Sequence, residues 1–150
     1  MAAMRKVLFL NGPNLNMLGT RQPEIYGHST LADLEHAVRA KAGRLSLEID
    51  FRQSNSETEL VTWIQEARQD TAGIVINAGA YTHTSVAIMD ALFAFTGPII
   101  ELHLSNNFRR EHFRHTSYIS LAAKGIIEGF GPDGYEIATD AMAKLLNRAS

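Results

Sequence analysis

Short β-branched runs and longer amphipathic segments alternate along the whole chain, and no other feature limits its fold so severely. Residues 5–10, 47–51, 74–76, 99–104 and 125–130 read as strands; the first contains the apolar run Val7, Leu8, Phe9, Leu10, and the second alternates through Leu47, Ile49 and Phe51. Between them, apolar positions recur at helical spacing: Leu31, Leu34, Val38 and Ala42, then Leu60, Val61, Ile64 and Ala67. Residues 85–95 form a third, nearly apolar helix closed by Gly97-Pro98, and Ile137, Ala138, Ala141, Met142, Leu145 and Leu146 mark a last one. Ser29 or Thr30 can cap the first helix, and Ser54 with Glu57, or Ser56 with Glu59, has capping-box spacing for the second.

Strands that alternate with helices are joined by right-handed crossovers, which make a parallel sheet with helices on both faces. The expected architecture is α/β, a flavodoxin-like three-layer sandwich whose five-stranded parallel sheet has the order 2-1-3-4-5. In that order the carboxyl ends of strands one, three and four adjoin, and open α/β sheets bind ligands at such a switch point. The 150 residues suit one domain, 1–150, with no linker or repeat to divide it. The absence of cysteine removes a disulfide framework, a thiolate nucleophile and cysteine-bound zinc. A net charge of -2 gives no reason to expect nucleic acid, and no apolar run is long enough for a membrane, so a cytoplasmic protein is expected.

Three polar segments fall at the expected switch point. The first, residues 11–27, is long for a strand-to-helix connection and is expected to run clear of regular elements. It pairs Arg21 with Tyr26: a phenol near pKa 10 is a poor base, and a guanidinium beside it favours the phenolate. A tyrosinate could then take a proton from carbon next to a carbonyl, although both residues could also be plain loop positions. In the second, residues 77–85, Asn77, His83 and small neighbours can hydrogen-bond a hydroxylated or carboxylated ligand. The third begins at Glu101-Leu102-His103, where the carboxylate and imidazole share a strand face. Glu101 can orient His103, directly or through a neighbour, and keep it protonated as an acid for a leaving hydroxyl; a structural ion pair is the alternative. Beyond it Arg109, Arg110 and Arg114 suit an anionic substrate, or else form a solvated face or a subunit contact. Asp90, within the apolar third helix, is either an interface contact or a substrate ligand. No compact HxH or HExxH spacing supports a metal.

The segments Asn11-Gly-Pro-Asn-Leu-Asn, Gly19-Thr-Arg-Gln-Pro-Glu-Ile-Tyr-Gly, Gln53-Ser-Asn-Ser-Glu, Asn77-Ala-Gly-Ala-Tyr-Thr-His-Thr-Ser, Glu101-Leu-His-Leu-Ser-Asn and Phe113-Arg-His-Thr-Ser-Tyr together closely resemble the type II 3-dehydroquinate dehydratases. The resemblance implies reversible anti elimination of water from 3-dehydroquinate, giving 3-dehydroshikimate through an enolate, in the shikimate pathway. It implies Tyr26 as the base, Arg21 as its activator, His103 as the acid supported by Glu101, and Asn14 as holder of a water at the enolate oxygen. Asn77, His83, Arg114 and the backbone at Leu104 and Ser105 match substrate ligands, and Asp90 matches a carboxylate from a neighbouring subunit. No metal or cofactor is implied, and the expected assembly is a dodecamer built from trimers. An imine-forming enzyme would need a buried, activated lysine, and Lys6, Lys41, Lys124 and Lys144 are poorly placed for one.

Two departures stand out: Met89 where many relatives have arginine, and Asn107-Phe108-Arg109 after Ser105-Asn106. A flavin-binding electron carrier on the same fold would want a first loop rich in Ser, Thr and Gly, unlike this one. A small-acid-binding regulatory module without catalysis is the other alternative, and it makes no demand on Tyr26.

Overall fold

β1 (Arg5–Asn11) sends Val7 and Phe9 to one face of the sheet and Leu8 and Leu10 to the other, and all four are buried. The computed structural model describes residues 4–20 and 22–149, with Ile25, Tyr26 and Ala149 in backbone only. β1 pairs in parallel with β2 (Leu47–Gln53) and β3 (Gly73–Asn77); β4 (Ile99–His103) follows β3, and β5 (Gly125–Glu128) follows β4. The strand order is β2-β1-β3-β4-β5, as the alternation of segments predicts.

One core gathers Val7, Phe9, Val75, Ile100 and Leu102 beneath α2 (Leu31–Arg44) and α5 (Asp133–Ala149). The other gathers Leu8, Leu10, Ile74, Ile76 and Ile99 beneath α3 (Glu57–Ala67) and α4 (Val86–Phe93). Each fully buried leucine or isoleucine contributes about 2 kcal/mol of transfer free energy, so the two cores hold the layers together.

The helix starts resolve the ambiguities in the sequence. Thr30, not Ser29, caps α2: its Oγ1 accepts from Asp33 N at 3.1 Å, and its own N–H donates to Asp33 Oδ2 at 3.0 Å. Ser56 caps α3 through Glu59 N at 3.2 Å, and Ser85 caps α4 through Ile88 N at 2.9 Å. Glu57 instead accepts from Ser85 Oγ at 2.5 Å, joining the two helix starts.

β4 and β5 stop at His103 and Glu128, short of the expected 104 and 130. Leu104 O is taken by Gly131 N at 2.9 Å, and Gly129 turns the chain at φ +94°, ending the ladder. The first loop is also more regular than expected. It holds a 3-10 turn at Leu15–Met17 and a single helical turn, α1 (Pro23–Tyr26), which opens on proline and closes at Gly27 with φ +79°.

Candidate active site

The carboxyl ends of β1, β3 and β4 open onto a cleft lined by residues from the chain after each strand. The chain after β1 approaches the chain after β3 so closely that a Cβ on Gly12 would lie 2.4 Å from Ala78 O, and Gly12 N donates to Asn77 O at 2.8 Å. Asn14 follows in the left-handed region at φ 70°, a conformation asparagine tolerates. Its N–H donates to Asn55 Oδ1 at 3.0 Å, while Gln53 Nε2 donates to Gly12 O at 3.1 Å. The Gln53-Ser-Asn segment therefore braces the first loop and presents Asn14 to the cleft.

Below the cleft lies a buried polar floor. Tyr135 Oη, from the start of α5, donates to Asn11 Oδ1 at 2.6 Å and accepts from Asn77 Nδ2 at 3.2 Å. Burial pushes the Tyr135 phenol well above its ordinary value, partly offset by the Asn77 bond, so it stays protonated. Asn77 Oδ1 accepts from Gly79 N at 3.3 Å. Tyr135→Phe leaves a buried amide oxygen and a buried amide N–H unpaired, and is expected to destabilise the fold by about 1–3 kcal/mol. Urea unfolding of the variant measures this; an unchanged midpoint would mean the two amides find other partners.

Glu101 and His103 share one face of β4 and touch directly, Nε2 to Oε2 at 2.5 Å, with Glu101 1% and His103 5% exposed. Ser120 Oγ donates to Oε1, and Ser117 Oγ (2.8 Å) and Thr82 Oγ1 (3.1 Å) approach Oε2. Burial alone would raise the Glu101 carboxyl, but the His103 bond and charge and the Ser120 and Ser117 bonds outweigh it and hold it below the ordinary range. The carboxylate is thus ionised and can only accept, so His103 Nε2 carries a proton.

Because the folded value is depressed, ionised Glu101 stabilises the fold above the unfolded carboxylate value, and that contribution is lost as pH falls through the folded one. Wild type should therefore lose stability more steeply than Glu101→Gln below pH 4.5, the ordinary glutamate value. Chemical denaturation from about pH 6 to 3 tests this; parallel curves for the two proteins would contradict it.

His83 Nδ1 meets Thr116 O at 2.7 Å. A carbonyl only accepts, so Nδ1 bears hydrogen, and Nε2 is the acceptor of the neutral ring. Burial lowers the His83 pKa, and the Arg114 and His103 charges add to that, against the Thr116 bond and the Glu101 charge. His83 therefore presents a neutral ring to the cleft.

The 107–115 segment consists of two 3-10 turns, Asn107–Arg109 and His112–His115, rather than a helix. Arg110 and Arg114 both line the cleft; Arg110 Nη1 donates to Ser105 Oγ at 3.3 Å, and Arg114 Nε to Glu111 Oε2 at 3.0 Å. Arg109 is exposed and does not line it.

Of the residues expected from sequence, Asn14, Asn77, His83, His103, Leu104, Ser105, Arg110 and Arg114 line this one cleft, with Glu101 behind His103. Arg21 and the side chain of Tyr26 lie outside the described residues. Asp90 is exposed on α4 and does not line the cleft. Lys6, Lys41, Lys124 and Lys144 do not line it either. Among the described residues no three His, Asp or Glu side chains gather into a metal-binding group. Tyr135, Ser117 and Ser120 join the site from positions whose sequence context sets them apart only weakly.

A family model for class II dehydroquinase matches residues 5–143. A 3-dehydroquinate dehydratase of Methylobacterium radiotolerans is 60% identical over 139 residues, 93% of each chain. 3-Dehydroquinate dehydratase 2 of Agrobacterium fabrum is 58% identical over 141 residues, 94% of this chain and 96% of the relative. The crystal structure of type II dehydroquinase from Propionibacterium acnes superposes with a TM-score of 0.90 at 42% identity, covering 96% of this chain and 98% of that one. With the sheet order, the cleft and these matches in agreement, the chain belongs to the class II dehydroquinase family.

Proposed function

We propose that the chain is a hydro-lyase, a 3-dehydroquinate dehydratase, that converts 3-dehydroquinate reversibly to 3-dehydroshikimate in the shikimate pathway leading to aromatic amino acids. What supports this reading most is the Glu101–His103 pair at a cleft whose other polar walls are Asn14, Asn77, His83, Ser105 and Arg114. Tyr26, its pKa lowered by Arg21, removes a proton from C2; the electrons pass to the C3 carbonyl and form an enolate. The enolate collapses on the opposite side of the ring, the C1–oxygen bond breaks, and His103 protonates the departing hydroxyl so that it leaves as water. Asn14 holds a water at the enolate oxygen, a donor fixed before charge develops there. Asn77, His83, Arg114 and the backbone at Leu104 and Ser105 hold the substrate's carboxylate and hydroxyls. The reaction needs neither metal nor organic cofactor in this scheme.

The assembly is a dodecamer built from trimers in which Asp90 completes a neighbouring subunit's site. Its exposed position on α4, between exposed Val86 and Phe93, supports this, as do exposed Phe108 and Phe113 on the basic turns. No helix of the described residues is long and apolar enough to cross a membrane, and the proposed location is the cytoplasm.

The product is a conjugated enone, so chelator-treated protein mixed with 3-dehydroquinate should raise ultraviolet absorbance catalytically. Binding of 3-dehydroquinate without turnover, by folded and assembled protein, would overturn the reading in favour of a carboxylate-binding module.

A further inference from the structure

β5 brings a second carboxylate alongside His103. The last residue of β5, Glu128, is the register partner of His103, as Ile126 is of Glu101. Adjacent strands lie about 4.8 Å apart and register partners project to the same face. Glu128 and Ile126 therefore stand beside His103 and Glu101, while Ile127 packs on the other face against the core beneath α5. On the His103 side of β5, Ile126 is 51% exposed. A cavity on that side is shared by Glu101, Glu128, Ser117, Ser120, Arg114 and Asn107, so it backs directly onto the cleft wall that the last two also form. Glu128 is half-buried, and its carboxylate has no hydrogen bond or ion pair with another described residue.

The charges around His103 oppose one another. Glu101 on β4 and Glu128 on β5 favour a protonated imidazole. Arg110 and Arg114, from the turns beyond β4, disfavour it, and His83, from the turn after β3, would disfavour it whenever charged. The arginines suit an anionic substrate, and before substrate arrives their charge falls on the acid. Glu111 pairs with both guanidiniums, Arg114 Nε at 3.0 Å and Arg110 Nε at 3.8 Å, but its carboxylate is exposed and offsets them only in part, and Glu101 is the one carboxylate bonded to His103. We propose that Glu128 is a positioning residue for His103, a second carboxylate that keeps the acid of the free enzyme loaded at a pH where Glu101 alone would not. The Glu128 carboxyl lies above its ordinary value on balance: burial raises it most, the His103 charge opposes that, and the Glu101 charge adds to it. This inference rests on His103 acting as the general acid in the proposed reaction.

The test is Glu128→Gln, with Glu128→Asp as the charge-preserving control, followed through the pH dependence of kcat/KM and of kcat. The alkaline limb of kcat/KM, which reports the acid of the free enzyme, should move down by about half a unit or more in Glu128→Gln, while the acidic limb stays in place. The shift should be smaller in kcat, because the bound substrate anion neutralises the arginines, and Glu128→Asp should restore most of it. An unmoved alkaline limb in Glu128→Gln, or an equal loss at every pH in both variants, overturns the proposal. The His103 ring titration, read by NMR in wild type and Glu128→Gln, decides the same question without turnover: a downward shift supports Glu128 and no shift removes it. Wild type that never turns over 3-dehydroquinate would instead count against the proposed reaction.

Discussion

His103→Gln is expected to lower kcat for dehydration by about 10²–10⁴-fold while KM stays within a few-fold. The glutamine amide can still donate to Glu101, so the bond that anchors the side chain at the end of β4 has a replacement. What the amide cannot supply is a transferable proton, and the hydroxyl must then leave as hydroxide or take its proton from water. The loss should appear in kcat because proton donation strengthens only as the carbon–oxygen bond breaks. A structural ion pair makes the opposite forecast: reduced stability with kcat nearly intact. Steady-state kinetics on the enone, beside a denaturation curve, separate the two, and a kcat near wild type would place the acid elsewhere in the cleft.

Tyr26→Phe should cost a similar factor, about 10²–10⁴-fold in kcat, and should also leave binding nearly unchanged. Tyr26 ends the helical turn α1, and Gly27 beyond it adopts φ +79°, so the backbone conformation is set by neighbours that the substitution leaves alone. Phenylalanine retains the ring and deletes only the oxygen that would accept the C2 proton. Calorimetric affinity for substrate should therefore hold while turnover collapses, and the limb of the pH profile belonging to the base should vanish from the residual rate. If turnover survives, the base lies elsewhere, and the first loop is left with a part in binding alone.

Strand and helix periods were enough to place the layers, because side chains that alternate into two cores must alternate in the sequence too. Caps were legible as pairs: both Ser54 with Glu57 and Ser56 with Glu59 fit the spacing, and geometry chose the second. The cleft walls were legible for a similar reason, since each wall is a short polar segment that follows an apolar strand. What escaped were contacts between distant segments. Nothing near Tyr135 indicates that its hydroxyl lies between Asn11 and Asn77, or near Ser120 that it braces Glu101. Three arginines within six positions look alike in a sequence, and only the paired 3-10 turns direct Arg110 and Arg114 inward and leave Arg109 outside. Proline at the start of a turn and glycine after it encode α1, yet one turn is too short for periodicity to reveal.

The Tyr135–Asn11 bond joins residues 124 positions apart. A chain emerging amino end first makes its first strand and first loop early, but the hydroxyl that fixes Asn11 and Asn77 arrives with the last helix. The site therefore has its completed floor only once the chain has been made past Tyr135 and α5 has docked, long after its first loop has formed.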